Sequence, residues 1–67
     1  MITLTINGKE RQLEKPLTVA GYITSLGMDT QYVAVARNGE VLERIEFASV
    51  TLADGDTVEI VRPVGGG

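Results

Sequence analysis

Apolar and polar residues alternate at the start of the chain. Residues 2–6 read Ile-Thr-Leu-Thr-Ile, and this period of two predicts a strand with one buried face. Asn7-Gly8 comes next, a pair that favours a tight type I′ hairpin turn because both central residues need a positive φ. Residues 9–14 are therefore predicted to return as a second strand, with Leu13 as its main apolar residue.

The spacing changes to that of a helix after Thr18. Four apolar residues recur at the i, i+3, i+4 and i+7 positions of one helical face, namely Val19, Tyr22, Ile23 and Leu26. Thr18 is predicted to be the N-cap, since its hydroxyl can accept a hydrogen bond from a free N–H of the first turn. Gly27 is predicted to end the helix, because glycine takes the left-handed conformation that follows many helices.

Alternation returns in the second half of the chain. Valine alternates with alanine over residues 33–36, which predicts a third strand over residues 32–37. Asn38-Gly39 repeats the hairpin signal. Residues 40–42 are therefore predicted to begin the partner strand of this second hairpin.

The pattern is less regular between that hairpin and the last strand. Ile45 and Phe47 are predicted to fill the core from a loop, and residues 50–52 to form a short edge strand. Residues 53–56, Ala-Asp-Gly-Asp, predict a turn. Residues 57–62 predict a final strand whose β-branched content suits a central position. The order β-β-α-β-β-β indicates an α+β fold with one helix packed on a sheet.

The two faces of this sheet differ in their side chains. The face toward the helix is predicted to carry the larger apolar residues, namely Ile2, Leu4, Ile6, Val33, Val35, Val58 and Ile60. The opposite face carries smaller residues, and its candidate docking residues are Ala34, Ala36, Val61 and, just after the last strand, Val64. Such a face suits the docking of another protein, but half-solvated faces are also ordinary in antiparallel sheets. Both interpretations stay open.

The composition of the chain limits the kinds of catalytic and metal sites that it can form. Its 67 residues include no cysteine and no histidine, which excludes disulfides and thiolate metal sites and removes the commonest general base. These absences count against an independent enzyme, and no bound metal or cofactor is expected. Asp54 and Asp56 flank a single glycine and are assigned to a turn rather than to a metal site. Glu43, Arg44 and Glu46 are assigned to a solvated surface.

Charge and hydropathy argue against two further classes of protein. The net charge is −3 and the six Lys and Arg residues are scattered, so the basic stripe of a nucleic-acid-binding protein is missing. No apolar run approaches the roughly 20 residues of a membrane span, and the N-terminus lacks the basic and apolar regions of a secretory signal. One small cytoplasmic domain is expected, near the lower size limit for folding without disulfides or metals.

The chain closes on three glycines, Gly65, Gly66 and Gly67. Because glycine has no Cβ, such a tail can enter a channel too narrow for other side chains. Flexible termini without any function are also common. The prediction is a domain over residues 1–64 and a flexible tail over residues 65–67, in which the terminal carboxylate is a candidate reactive group.

Residues 52–60, closing on Gly66-Gly67, resemble the C-terminal signature of the ThiS/MoaD family of sulfur carriers. The first Asn-Gly turn, the Thr-Val entry to the helix and the compact length are most similar to the ThiS branch of that family. The resemblance implies the β-grasp fold of ubiquitin-like proteins, a mixed β-sheet packed on one main helix, with the first and last strands parallel and adjacent at its centre. Arg62-Pro63 departs from the mostly hydrophobic residues that precede the tail in the family.

The resemblance also implies a chemistry. A ThiF-type adenylyltransferase would use ATP to join the Gly67 carboxylate to AMP, since a free carboxylate is a poor acyl donor. A sulfur donor such as a cysteine desulfurase would replace AMP and leave a thiocarboxylate, from which thiazole synthase (ThiG-type) would take sulfur for the thiamin thiazole. Gly65 and Gly66 would thread into the partner's active site. A MoaD-like carrier for molybdopterin synthesis and a ubiquitin-like modifier or interaction module are the alternatives.

Overall fold

The structure, a computed structural model, describes residues 1–62 of the chain. The strands and the helix are, in chain order, β1 (Ile2–Ile6), β2 (Lys9–Leu13), α1 (Val19–Ser25), β3 (Ala34–Arg37), β4 (Glu40–Val41) and β5 (Thr57–Val61). Two 3₁₀ helices lie at Thr30–Tyr32 and Arg44–Ala48. The predicted domain boundary after residue 64 falls outside the described residues and stays a prediction.

The five strands form one mixed sheet in the order β2-β1-β5-β3-β4. β1 and β5 are parallel and adjacent, with Thr5 opposite Thr57 and Ile6 opposite Val58, whereas the other neighbouring strands are antiparallel. The first and last strands therefore lie together near the middle of the sheet, with α1 on one of its faces. This is the β-grasp arrangement, and the predicted fold class is confirmed.

Both predicted hairpin turns are present. Asn7 and Gly8 have φ angles of 52° and 82°, and Asn38 and Gly39 have φ angles of 51° and 83°. Two successive positive φ angles match the type I′ geometry, whose twist suits the flanking strands. The turns set the pairing of β1 with β2 and of β3 with β4.

The helix begins and ends close to the predicted positions. The Thr18 hydroxyl oxygen accepts a hydrogen bond of 3.0 Å from the Gly21 N–H, which confirms the N-cap. Gly27 follows the helix with a φ of 78°. The prediction was wrong for Leu26, which is exposed, because the helix ends at Ser25 and Leu26 is its C-cap residue.

The core lies between α1 and the sheet face that α1 covers. Its buried apolar side chains are Leu4, Ile6, Val19, Tyr22, Ile23, Val33, Val35, Phe47, Leu52, Val58 and Ile60. Six of the seven predicted helix-facing strand residues are in this set, and Ile2 packs against it while only partly buried. The alternation of the sequence therefore identified the correct face of the strands.

The third strand starts later than predicted. It begins at Ala34, while Tyr32 is exposed and lies in the 3₁₀ helix Thr30–Tyr32. The Asp29 carboxylate accepts a hydrogen bond of 2.8 Å from the Gln31 N–H and so caps this short helix.

Ile45 and Phe47 were predicted to share one role, and they differ. Both lie in the 3₁₀ helix Arg44–Ala48, where three residues make a turn and side chains two apart point in different directions. Phe47 is 3% exposed and belongs to the core, whereas Ile45 is 83% exposed. The prediction holds for Phe47 and was wrong for Ile45.

The charged residues of this segment do more than form a solvated surface. Glu43 and Glu46 form a capping box, in which each side chain bonds the other residue's backbone N–H. The Arg44 guanidinium donates to the carbonyl oxygens of Thr30 and Val33, at 3.0 and 3.2 Å. Arg44 therefore ties the second 3₁₀ helix to the segment that leads into β3.

Residues 50–52 do not form the predicted edge strand. Thr51 makes an isolated bridge with Thr18, and the Leu52 N–H donates to the Leu17 carbonyl oxygen at 2.9 Å. Leu52 is buried. The segment therefore fastens the start of α1 and fills the core without joining the sheet.

Candidate functional site

A patch of small and apolar side chains lies on the sheet face opposite α1. We call it the open-face patch, and its residues are Ala34, Ala36, Val41, Glu59 and Val61. The register brings them together, since Ala34 lies opposite Val61 and Ala36 lies between Glu59 and Val41. Val41 is 76% exposed and Val61 is 58% exposed, and together they border a shallow depression of about 180 Å³. Unpartnered apolar side chains of this kind are typical of a protein-docking surface.

The structure brings together three of the four predicted docking residues, Ala34, Ala36 and Val61. Val64 lies outside the described residues, and its place in the site stays a prediction. Val41 belongs to the patch although sequence reasoning missed it. A signal for it was present, because a two-residue turn at positions 38 and 39 sets Val41 opposite Ala36.

Asn7 holds the end of β5, the strand that leads to the C-terminus. The Asn7 side-chain Oδ1 accepts a hydrogen bond of 2.8 Å from the Ile60 N–H, and its Nδ2 donates to the Ile60 carbonyl oxygen at 3.1 Å. Ile60 itself is buried. β5 then ends at Val61, which belongs to the open-face patch. The predicted reactive residue Gly67 and the predicted threading residues Gly65 and Gly66 lie outside the described residues.

The beginning of β5 is organised by the buried carboxylate of Asp56. Its Oδ2 accepts hydrogen bonds of 2.8 Å from both the Arg37 Nε and the Ala53 N–H. Its Oδ1 accepts a bond of 3.1 Å from the Asn38 Nδ2. The carboxylate therefore joins the end of β3, the second hairpin turn and the loop that precedes β5.

These contacts change the acidity of Asp56. Burial by itself raises the pKa of this carboxyl, since it disfavours the charged form. The hydrogen bonds from Ala53, Arg37 and Asn38 and the positive charge of Arg37 outweigh that effect and hold the pKa of Asp56 below its ordinary value. Asp56 is thus ionised near neutral pH and acts as an acceptor that fastens the turn.

The two aspartates of the Asp-Gly-Asp turn have structural partners. The Asp54 Oδ1 accepts a hydrogen bond of 2.7 Å from the Thr3 N–H, so Asp54 ties the turn to β1 while Asp56 ties it to β3. Within residues 1–62, no three acidic side chains lie close enough together to hold a metal ion. The arrangement agrees with the turn assignment made from the sequence.

No helix within residues 1–62 has the length and apolar character needed to cross a membrane.

The chain matches one protein-family model and several known proteins. The family model described as the ThiS family matches residues 4–67. The sulfur carrier protein ThiS of Bacillus subtilis is 35% identical over 65 residues, which cover 96% of this chain and 98% of that protein. A thiazole synthase of Paramagnetospirillum magneticum is 44% identical over 64 residues, but this chain spans only 20% of its length.

A solved structure supports the same assignment. The crystal structure of the thiamine biosynthesis protein ThiS from Geobacter metallireducens superposes with a TM-score of 0.84 at 40% identity, and the match covers 98% of this chain and all of that one. The family match includes the residues of the open-face patch, the Asn7 contact and the terminal glycines. The chain therefore belongs to the ThiS family.

Proposed function

We propose that this chain is a sulfur carrier whose Gly67 carboxylate is adenylated and then converted to a thiocarboxylate that supplies sulfur for thiamin thiazole formation. The observation that carries the proposal is the family match, which runs over residues 4–67 and so includes the terminal glycines. The match to the Bacillus subtilis carrier over almost its whole length supports the same function.

The chemistry starts from an unreactive group. A carboxylate repels nucleophiles and has no good leaving group, so one of its oxygens first attacks the α-phosphorus of ATP and displaces pyrophosphate. The resulting acyl adenylate is attacked by the terminal sulfur of a persulfide, which displaces AMP and gives an acyl disulfide. A thiol then cleaves the S–S bond, so that the thiol and the sulfur donor leave as a disulfide and the thiocarboxylate remains on Gly67.

The carrier presents its terminal carboxylate to the partner enzymes and does not itself catalyse the reactions. The described residues contain no histidine or cysteine, the usual general base and nucleophile of such reactions. The adenylation and the sulfur transfer therefore rely on side chains of the partner enzymes. What the carrier contributes is a surface for docking, the open-face patch, beside the end of the strand that leads to Gly65, Gly66 and Gly67.

We propose three partners for this cycle. A ThiF-type adenylyltransferase activates the carboxylate with ATP, a cysteine desulfurase or an equivalent donor supplies the persulfide, and a thiazole synthase takes the sulfur. The third partner has the most support, since a region similar to this chain forms part of the Paramagnetospirillum thiazole synthase. A cytoplasmic location and the lack of a bound cofactor stay predictions.

The experiment is a reconstitution with a matched deletion. The chain is incubated with the activating enzyme, ATP and a persulfide donor, and the intact mass is expected to rise by about 16 Da, the difference between sulfur and oxygen. Removal of Gly66 and Gly67, which leaves no terminal Gly-Gly pair, is expected to abolish the gain and leave the melting temperature unchanged within about 1 °C, because terminal residues make few contacts. Conjugation to lysines with no gain of 16 Da would favour a ubiquitin-like modifier instead.

A further inference from the structure

Hydrogen bonding to β5 continues beyond the point where β1 ends. The Asn7 N–H donates to the Val58 carbonyl oxygen at 2.9 Å, after which Asn7 takes a φ of 52° and the chain turns away. In a continuing parallel ladder, the next two bonds would come from the carbonyl of residue 7 and the N–H of residue 9. The Asn7 side chain supplies both instead, since its Oδ1 and Nδ2 bond the N–H and the carbonyl of Ile60.

This side-chain contact determines which residue of β5 is the last to be hydrogen-bonded on the β1 side. Within residues 1–62, Ile60 is the last residue of β5 bonded from that side, and Asn7 makes both bonds. Without the amide, the last bond on that side would be the one at Val58. Residues 59–61 would then be held by β3 alone, in which Val35 lies opposite Ile60 and Ala34 opposite Val61 of the open-face patch.

Asn38 offers a natural comparison at the other end of the same strand. It occupies the equivalent turn position with a φ of 51°, and its Oδ1 accepts a hydrogen bond of 2.9 Å from the Thr57 N–H. Asn38 therefore fastens the beginning of β5, whereas Asn7 fastens its end. The two residues share their turn chemistry and differ in the part of β5 that they hold.

We infer that Asn7 is a positioning residue, which holds the end of β5 on its β1 side and so directs the C-terminal tail, with Gly67, into the activating enzyme. The inference rests on the function proposed above. Once the open-face patch has docked, entry of the tail is an intramolecular step, and its probability depends on how many residues must still be ordered. Val61 lies next to Ile60 and belongs to that patch. The position of the end of β5 relative to the docked surface is therefore fixed.

The test compares Asn7→Gly with Asn38→Gly. Glycine accepts the positive φ at both positions, so each change removes the amide without straining the turn. The readout is ATP–pyrophosphate exchange by the activating enzyme at varied carrier concentration, at a temperature where circular dichroism shows every variant folded. N7G is expected to lower kcat about tenfold and to change KM by less than about twofold, because tail placement and not docking is impaired. N38G is expected to retain both constants within about twofold.

Hydrogen exchange of the carrier gives a second readout, which does not depend on the activity of the enzyme. The Ile60 amide is expected to exchange faster in N7G than in N38G, since only the former removes its acceptor, the Asn7 Oδ1, and loosens the end of β5. Asn7→Asp supplies a second variant if N7G is not folded. It keeps the acceptor for the Ile60 N–H but loses the donor to the Ile60 carbonyl, and its kcat is expected to fall as well.

Three outcomes would overturn the positioning role. The first is an unchanged kcat in N7G, or in N7D where that variant is used. The second is an equal fall of kcat in N7G and N38G. The third is a change in KM with no change in kcat. A wild-type chain that supports no ATP–pyrophosphate exchange would instead contradict the proposed function. The two ideas therefore fail in different ways.

Discussion

The Arg37 Nε lies 2.8 Å from the Asp56 Oδ2, in an ion pair that joins the end of β3 to the residue before β5. It is the one ion pair found within residues 1–62, and the Asp56 side chain is only 9% exposed. Asn38 and Ala53 donate to the same carboxylate. Asp56 therefore fixes the position of the chain where β5 begins.

This contact predicts a loss of stability in acid. The folded pKa of Asp56 lies below its ordinary value of 3.8, so its contribution is fully present above about pH 4 and is lost as the pH falls through the folded pKa. Asp56→Asn is expected to lower the free energy of unfolding at pH 7 by about 2 kcal/mol and to flatten its decline in acid. Urea titrations between pH 7 and pH 2 measure both effects. Parallel curves for the two proteins would contradict the assignment.

The second 3₁₀ helix predicts opposite outcomes for two apolar residues that lie two positions apart in the sequence. Phe47→Ala is expected to cost about 4 kcal/mol, since it leaves a cavity in the core. A domain of this size has a total stability of roughly 5 kcal/mol, so the variant should be close to unfolding. Ile45→Ala is expected to change stability by less than about 0.5 kcal/mol, because its side chain is exposed. Denaturant unfolding of both variants is the measurement, and similar losses would contradict the burial found here.

The open-face patch predicts a binding defect that leaves the fold intact. Val41→Lys places a charge on the docking surface and is expected to raise the KM of the carrier for the activating enzyme about tenfold, with little change in kcat. Ile45→Lys is the matched control, because Ile45 is similarly exposed but lies outside the patch. Equal effects of the two changes would show that the enzyme docks elsewhere.

Local patterns predicted most of the fold. The alternation of residues 2–6 and the two Asn-Gly pairs depend on neighbours in sequence, so they were sufficient to place β1, β2 and the hairpin turns. The N-cap at Thr18 was found for the same reason. The open-face residues Ala34, Ala36 and Val61 followed from the period of two along β3 and β5.

Several features that depend on distant contacts were not predicted. Tyr32 and Ile45 have the apolar character of core residues, and only the 3₁₀ turns that precede β3 and follow β4 expose them. The bonds of Asn7 to Ile60 span 53 positions of the sequence, and those of Asp56 to Arg37 span 19. In each case the sequence indicated a turn, and the partner became evident only when β5 was placed between β1 and β3.

The central claim is that sulfur is carried on the Gly67 carboxylate. Fragmentation of the intact protein by mass spectrometry, after incubation with the activating enzyme, ATP and a persulfide donor, tests it most directly. The prediction is a gain of about 16 Da that is present in every fragment containing Gly67 and absent from every fragment lacking it. A gain located on any other residue, or a Gly67 carboxylate that stays unmodified, would contradict the account.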